Sequence, residues 1–529
     1  MRASILALAC TCIGATHAQD IYDIWQTTWN RSPTFERIPI KTGDLPVSFT
    51  PPGSAKSAVI TVDDNTVYQT IHGFGGSLTD SAALTLHNMK NKNRANYEKL
   101  LNSMFNATDG ANSAGLSYLR VPLGASDFSA KEYTFDDTKG DTSLNKFSID
   151  AAPSYLFSII KDIVGINPLM KVHLLPWSPP GWMKSSGHIG GGSLEPQYET
   201  AYAHYLLKSL QGFKDKGITA YAIGIQNEPQ NSNPTYPTAL VPSNVEAAIG
   251  KTLRTLMNAN GFKDTKLIGF EHNWNDAGKY PVDLMNSAES AFDGVAFHCY
   301  AGNVGGQAQF RDKFPGKEIY LTECAGTIGT DWWTDIKWYM NNLWIGSLSQ
   351  GSTTGLMWNI ATNAKGEPKL PGTSSCGGPG CRALVSVNDD ASYSFNQEFY
   401  SMAQASKAII PKDKGGPWGR RVKVTVGGSQ AHALTVGAYV TGRSSSSQPE
   451  RHSLVVLNQL DGSNALWKPT PVTTTIEFRG KHATITFPVG VTTLWWFAPK
   501  SSSGGKVQEG WEVYGDASGG QQVPMGVWK

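Results

Sequence analysis

A chain of 529 residues, 40% hydrophobic and 17% charged, can build a large core and is not a disordered polyelectrolyte. Its formal net charge of +2 gives no electrostatic footprint for nucleic acid. No stretch beyond the N-terminus approaches the roughly 18 consecutive apolar residues that a membrane span requires.

The first eighteen residues read as a secretory signal. Arg2 is followed by an apolar run from Ile5 to Cys12 and a small-residue site, Ala15-Thr16-His17-Ala18. The mature protein is therefore expected to be secreted and extracellular, free of the membrane, and a monomer. Residues 19–68 are too irregular for a barrel unit and are expected to add strands to a later β-sandwich. Over 69–411, apolar runs alternate with longer helical patterns. The runs fall at 116–122, 171–175, 220–225, 266–270, 294–300, 318–322 and 355–359. Between them, Tyr202, Tyr205, Leu206 and Leu210 recur at helical spacing before Gly217, and Ile249, Leu253, Leu256 and Met257 before Gly261. Phe395, Phe399 and Met402 mark a last helix ending at Pro411. Repeated strand-then-helix units of this length predict an α/β fold, a (β/α)8 TIM barrel. Short β-branched and aromatic runs then fill 412–500 and predict a second, all-β sandwich domain. Residues 501–529 are rich in Gly and Ser and read as a loosely held tail.

Four cysteines remain once the signal is removed. Cys376 and Cys381 bracket Gly-Gly-Pro-Gly, a short loop that a disulfide could pin. Cys299 and Cys324 form either a second bridge or two buried thiols. A zinc site is the weaker alternative, since no CxxC or HExxH spacing occurs. Asn30 and Asn106 begin glycosylation sequons. The Gly-rich run from His72 to Leu78 fails the dinucleotide pattern, because Leu78 stands where the third Gly belongs. It is expected to be a tight turn after the first strand.

Chemistry is expected at the C-terminal ends of the barrel strands. The apolar run Ile223-Gly224-Ile225 passes into Gln226-Asn227-Glu228-Pro229, and Ile319-Tyr320-Leu321 passes into Thr322-Glu323-Cys324. Counting the strand before the Gly-rich turn as the first, these ends belong to the fourth and seventh predicted strands. Either Glu alone could be a plain strand-end residue. Two of them at one barrel mouth are the pair a glycosidase needs, about 5 Å apart if configuration is retained. An acid/base in that role calls for a raised pKa at Glu228. Asn227 could bond a substrate hydroxyl. Arg120 could hold a carboxylate and Asp127 could accept from sugar hydroxyls, or the two could be a structural ion pair. Trp177 and Trp358 could line the sugar, while Trp182 is better read as packing. His298 and Tyr300 share one face of the sixth strand; Tyr300 could bond the nucleophilic carboxylate, and His298 reads as a core histidine. No cofactor and no metal is called for.

These pieces resemble glycoside hydrolase family 30. The matching motifs run from His72-Gly73-Phe74-Gly75-Gly76-Ser77-Leu78-Thr79-Asp80 through Leu119-Arg120-Val121-Pro122, with Asp127-Phe128-Ser129, to Pro176-Trp177-Ser178-Pro179-Pro180-Gly181-Trp182-Met183-Lys184. Gln226-Asn227-Glu228-Pro229 and Thr322-Glu323-Cys324 complete the set. The resemblance implies a barrel with a side β-sandwich and retention of configuration. It implies Glu228 as acid/base, Glu323 as nucleophile, and Arg120, Asp127, Trp177, Asn227, Tyr300 and Trp358 as sugar-pocket residues. Within the family the chain is most similar to fungal endo-β-1,6-glucanases, which implies a β-glucan substrate. Glucosylceramidases share the motifs, so a glucosylceramidase-like or exo-acting enzyme is the alternative. A non-catalytic carbohydrate-binding protein is the rival from another class. The family's xylanases match less well, for want of a basic determinant for a glucuronic acid side group.

Overall fold

The structure is a computed structural model that describes residues 20–39, 47–462 and 466–501 and the backbone of 506–507. The expected signal and most of the expected tail lie outside the described residues. Among these residues, no helix is long and apolar enough to cross a membrane.

Eight parallel strands form the barrel: β1 (Gly73–Ser77), β2 (Tyr118–Leu123), β3 (Lys171–Pro176), β4 (Ala222–Gly224), β5 (Lys266–Asn273), β6 (Gly294–His298), β7 (Glu318–Glu323) and β8 (Thr354–Met357). β8 pairs in parallel with β1, and each of β2 to β7 with its predecessor. The ring closes between β7 and β8, where Ile319 bridges Ser352 and the Thr353 N–H donates to the Ile319 carbonyl at 2.7 Å. Tyr118, Ala222, Ile268, Ala296, Tyr320 and Leu356 form a buried layer contributed by six of the strands. The interior is thus packed, and only the strand ends are free for chemistry.

The Gly-rich run is strand β1 itself, not a turn after it. Its glycines serve close approach: a Cβ on Gly75 would stand 1.9 Å from the Tyr118 carbonyl oxygen. The helical spacing read before Gly217 becomes the helix Glu199–Asp215, which buries Tyr202, Tyr205, Leu206 and Leu210.

The second layer is one ten-stranded sheet. In spatial order its main path runs Thr34–Arg37, Asp23–Thr28, Gly490–Ala498, Glu450–Asn458, Leu434–Thr441, Gly419–Gly427, Ala58–Thr70, Val472–Phe478 and Lys481–Phe487. The pairing is antiparallel except where Val472–Phe478 and Lys506–Val507 meet Ala58–Thr70. Phe478 and Trp496 lie on strands separated by four others, about 24 Å apart in a flat sheet. Their rings nevertheless meet at 5.2 Å, so the sheet curls over its own apolar face. The helix Gln397–Ile409 joins the two layers: Gln404 donates to Thr27 at 3.0 Å and accepts from Thr493 at 2.6 Å.

Two disulfides are present among the described residues. Cys299–Cys324 ties the residues just past β6 and β7, and Cys376–Cys381 closes the Gly-Pro-Gly loop. All four cysteines among the described residues are therefore paired, which leaves no thiolate there for a zinc ion.

Candidate active site

Glu228 lies four residues past β4, where Pro229 prevents the strand from continuing. Its φ of 46° is left-handed, a costly conformation for a residue with a Cβ. The Glu228 N–H pins it by donating to the Glu271 carbonyl at 3.0 Å, while the Asn227 N–H donates to the Pro176 carbonyl at 2.8 Å. Glu323 is the last residue of β7, with its side chain 8% exposed.

Two bulges bring the site together. In β5 the register slips between Gly269 and His272, and Phe270 and Glu271 both take positive φ. In β7 it slips between Leu321 and Glu323. β6 runs between these two strands, and its last residue, His298, pairs with Asn273 on one side and Glu323 on the other. Bulges re-aim side chains. Here they turn Glu271, His272 and Glu323 towards one fully buried imidazole.

His298 reaches both carboxylates of the proposed pair. Its Nδ1 is 3.1 Å from Glu228 Oε1 and its Nε2 is 4.0 Å from Glu323 Oε2. Arg120, fully buried at the third residue of β2, spans the same gap. One of its nitrogens donates to Glu323 Oε2 at 2.5 Å and another to Asn227 Oδ1 at 2.5 Å. It also lies 3.3 Å from Glu271 Oε2. Glu271 accepts from Thr322 at 2.6 Å and faces His173 at 3.2 Å. The Tyr300 hydroxyl donates to Glu323 Oε1 at 3.0 Å, as its strand position suggested. On the Glu228 side, Asn231 donates to Glu228 Oε2 and to the Tyr236 hydroxyl, both at 3.0 Å.

The electrostatics follow from burial and charge. Burial pushes the Glu271 carboxyl up, but Arg120, His173 and His298 together outweigh it and the group ends lowered, at about 2. Glu228 is likewise pushed up by burial and pulled further down, to about 2, by the His298 hydrogen bond and the His272 charge. The raised value expected for Glu228 is therefore absent in the free protein, because its proton rests on a neighbour. His298 is pushed down by burial and more strongly up by Glu323, Glu228 and Glu271 together, to about 9. The pair holds one proton, on the imidazole.

Asp127 is 4% exposed, and burial pushes its carboxyl up to about 7. Oδ2 accepts from Ser375, while Oδ1 is buried with no protein partner. Trp177 stacks on Trp358 with ring centroids 5.0 Å apart and lies 4.7 Å beneath the Arg120 guanidinium. At 2% and 3% exposure, the two indoles form wall rather than open platform. Trp182 packs on Tyr198 and donates to the Asp136 carbonyl.

All eight residues singled out from the sequence thus lie in or beside one network. Glu271, His272, Asn231, Tyr236 and the linking role of His298 were missed. The available signal was Glu271-His272 at a strand end, an acid and an imidazole where the barrel opens. Glu228, His272 and His298 place three potential metal-ligand atoms within 4.8 Å of one another. The proton shared by His298 and Glu228 competes with a cation there.

The description of a glycosyl hydrolase family 30 TIM-barrel domain matches residues 71–368. The chain is 33% identical over 378 residues to an endo-1,6-beta-D-glucanase of Neurospora crassa, covering 67% of this chain and 74% of that one. It is 25% identical over 383 residues to the lysosomal acid glucosylceramidase of Mus musculus, covering 66% and 70%. A solved endo-beta1,6-glucanase superposes with a TM-score of 0.76 at 25% identity, over 91% of this chain and all of that one.

Proposed function

The chain belongs to glycosyl hydrolase family 30, and from that premise we propose that it is a secreted, monomeric endo-β-1,6-glucanase that retains anomeric configuration. Glu323 is the nucleophile and Glu228 the acid/base. The observation that carries this reading is the single buried network, through His298 and Arg120, that holds both carboxylates at the C-terminal mouth of the barrel. Likeness to the Neurospora crassa enzyme supports the β-1,6 linkage.

Arg120 and Tyr300 occupy both Glu323 oxygens and fix the carboxylate for attack on the anomeric carbon. The bond from that carbon to Glu323 forms as the bond to the departing oxygen breaks. Attack neutralises Glu323, whose charge is the strongest influence holding the proton on His298. The proton is then released through Nδ1 to Glu228 and on to the leaving oxygen. In the second step Glu228 takes a proton from water as water displaces Glu323.

The test is proton NMR of the first product formed from a β-1,6-glucan, together with the variant Glu323→Gln. The β-anomer should appear first, and the variant should fold normally with nearly all turnover lost. An initial α-product, or a variant as active as the parent, would falsify the assignment. Likeness to the glucosylceramidase favours a second reading, an exo-acting β-glucosidase. Early product lengths separate the two, since mixed oligosaccharides mean endo action and glucose alone means exo action.

A further inference from the structure

The long loop after β8 is not needed to build the barrel, yet it crosses the mouth and is fastened at several points. Ser375 donates to Asp127 Oδ2 in the loop after β2, and the Leu370 N–H donates to the Asp127 carbonyl at 2.8 Å. Ser374 meets the loop that carries the acid/base: Asn233 donates to its hydroxyl at 3.0 Å, and its N–H donates to Thr235 at 2.9 Å. Beyond the bridge, Cys381 and Arg382 pair antiparallel with Thr327 and Gly326, just past Glu323. Cys376 and Cys381 themselves pack with Phe128, Leu175, Trp177 and Trp358. The disulfide therefore backs the two stacked indoles beside Arg120.

We propose that the Cys376–Cys381 loop is the back wall of the sugar pocket, and that Ser375 is a positioning residue that holds Asp127 with Oδ1 free for a substrate hydroxyl. This rests on the glucanase reading above and adds a source of linkage selectivity to it. A buried acceptor without a protein partner is costly unless a ligand satisfies it. In a 1,6-linked glucan every internal ring keeps its 2-, 3- and 4-hydroxyls, because the chain runs through C1 and C6. A 1,3- or 1,4-linked chain has lost one of those donors and carries another sugar in its place. A carboxylate backed by a covalently closed loop cannot withdraw to make room. Sites built to bond a hydroxyl reject analogues that lack it far more strongly than apolar pockets reject a missing methylene.

The experiment compares the full-length parent, Ser375→Ala, Ser375→Thr and the double variant Cys376→Ser/Cys381→Ser. Each is assayed on β-1,6-, β-1,3- and β-1,4-glucans alongside a thermal melt. Ser375→Ala should raise KM for the β-1,6-glucan about tenfold or more, with a smaller change in kcat. It should also narrow the preference for the 1,6-linkage by a similar factor at an unchanged melting temperature. Ser375→Thr, which keeps the hydroxyl, should restore both. The double cysteine variant should show the same loss of preference. The proposal is overturned if Ser375→Ala leaves KM and preference within twofold of the parent. It is equally overturned if Ser375→Thr is as impaired as Ser375→Ala, or if the double variant keeps full preference. A parent that releases no reducing ends from β-1,6-glucan defeats the functional reading instead, so the two failures are distinct.

Discussion

Replacing Arg120 with Met tests whether the buried cation holds the site together. Arg120 is fully buried and faces Glu323 and Glu271, which are themselves almost without solvent. Removing it strands those carboxylates, and breaking a buried ion pair from one side costs about 3–5 kcal/mol. The titration of Glu271 gives a second figure, for the cations around it together. Its carboxyl lies at about 2 against an ordinary 4.5, pushed up by burial and pulled down more strongly by Arg120, His173 and His298 together. That difference corresponds to about 3 kcal/mol of stability at neutral pH. Because the folded value is depressed, the contribution is full above about pH 4.5, fades as pH falls towards about 2, and is absent below. In Arg120→Met burial is opposed only by His173 and His298, so the Glu271 carboxyl moves up and its contribution shrinks. Melts of both proteins from pH 3.5 to 7 should therefore show a gap of about 3 °C or more at neutrality, at roughly 1 °C per kcal/mol for a chain of this length. The gap should narrow as pH falls below about 4.5. A variant that melts within a degree of the parent at pH 7, or a gap that widens in acid, would refute the reasoning.

Three further outcomes follow from the same geometry. Tyr300→Phe removes the 3.0 Å hydroxyl donor to Glu323 and should lower kcat about 10–100-fold with the melt unchanged, a bond to a charged group being worth about 1.5–3 kcal/mol; full kcat would exclude Tyr300 from positioning the nucleophile. His298, raised to about 9, keeps the shared proton through neutrality and loses it only above that value. In His298→Asn the proton must sit on Glu228 alone, so the alkaline limb of kcat/KM should move to lower pH, and an unmoved limb would reject the relay. Gly75→Ala forces a Cβ to 1.9 Å from a backbone oxygen and should prevent accumulation of folded protein, whereas exposed Gly53→Ala, with nothing within 4 Å, should behave as the parent; equal yields would contradict the strand contact.

Much of the fold was legible because parallel strands buried on both faces write continuous apolar runs into the sequence, each followed by a helical repeat. Those runs end where chemistry is exposed, which is why Asn227-Glu228 and Glu323 could be picked from residue type and place alone. β1 was misread for an equally physical reason. Its three glycines lack β-propensity and mimic a turn, and the cause of their presence, the carbonyl of Tyr118 against Gly75, lies on another strand. The curling of the ten-stranded sheet was hidden in the same way, since alternation within a strand says nothing of which strands meet across the fold.

The network around His298 was illegible because it depends on register. Strict alternation assigns each strand residue a face, and by that rule His298 was an ordinary core histidine. The slips at Gly269/His272 and Leu321/Glu323 break the rule on both neighbouring strands at one level. Glu271 lies inside one slip and Glu323 at the end of the other, so the imidazole between them gains two carboxylates that no spacing predicts. The left-handed φ at Phe270, Glu271 and Glu228 belongs to the same departure. The backbone leaves its regular path where the sequence reading fails, and the acidic pair converges there. The buried cation of Arg120 and the shared proton of His298 are what allow so many carboxylates to stand together without solvent.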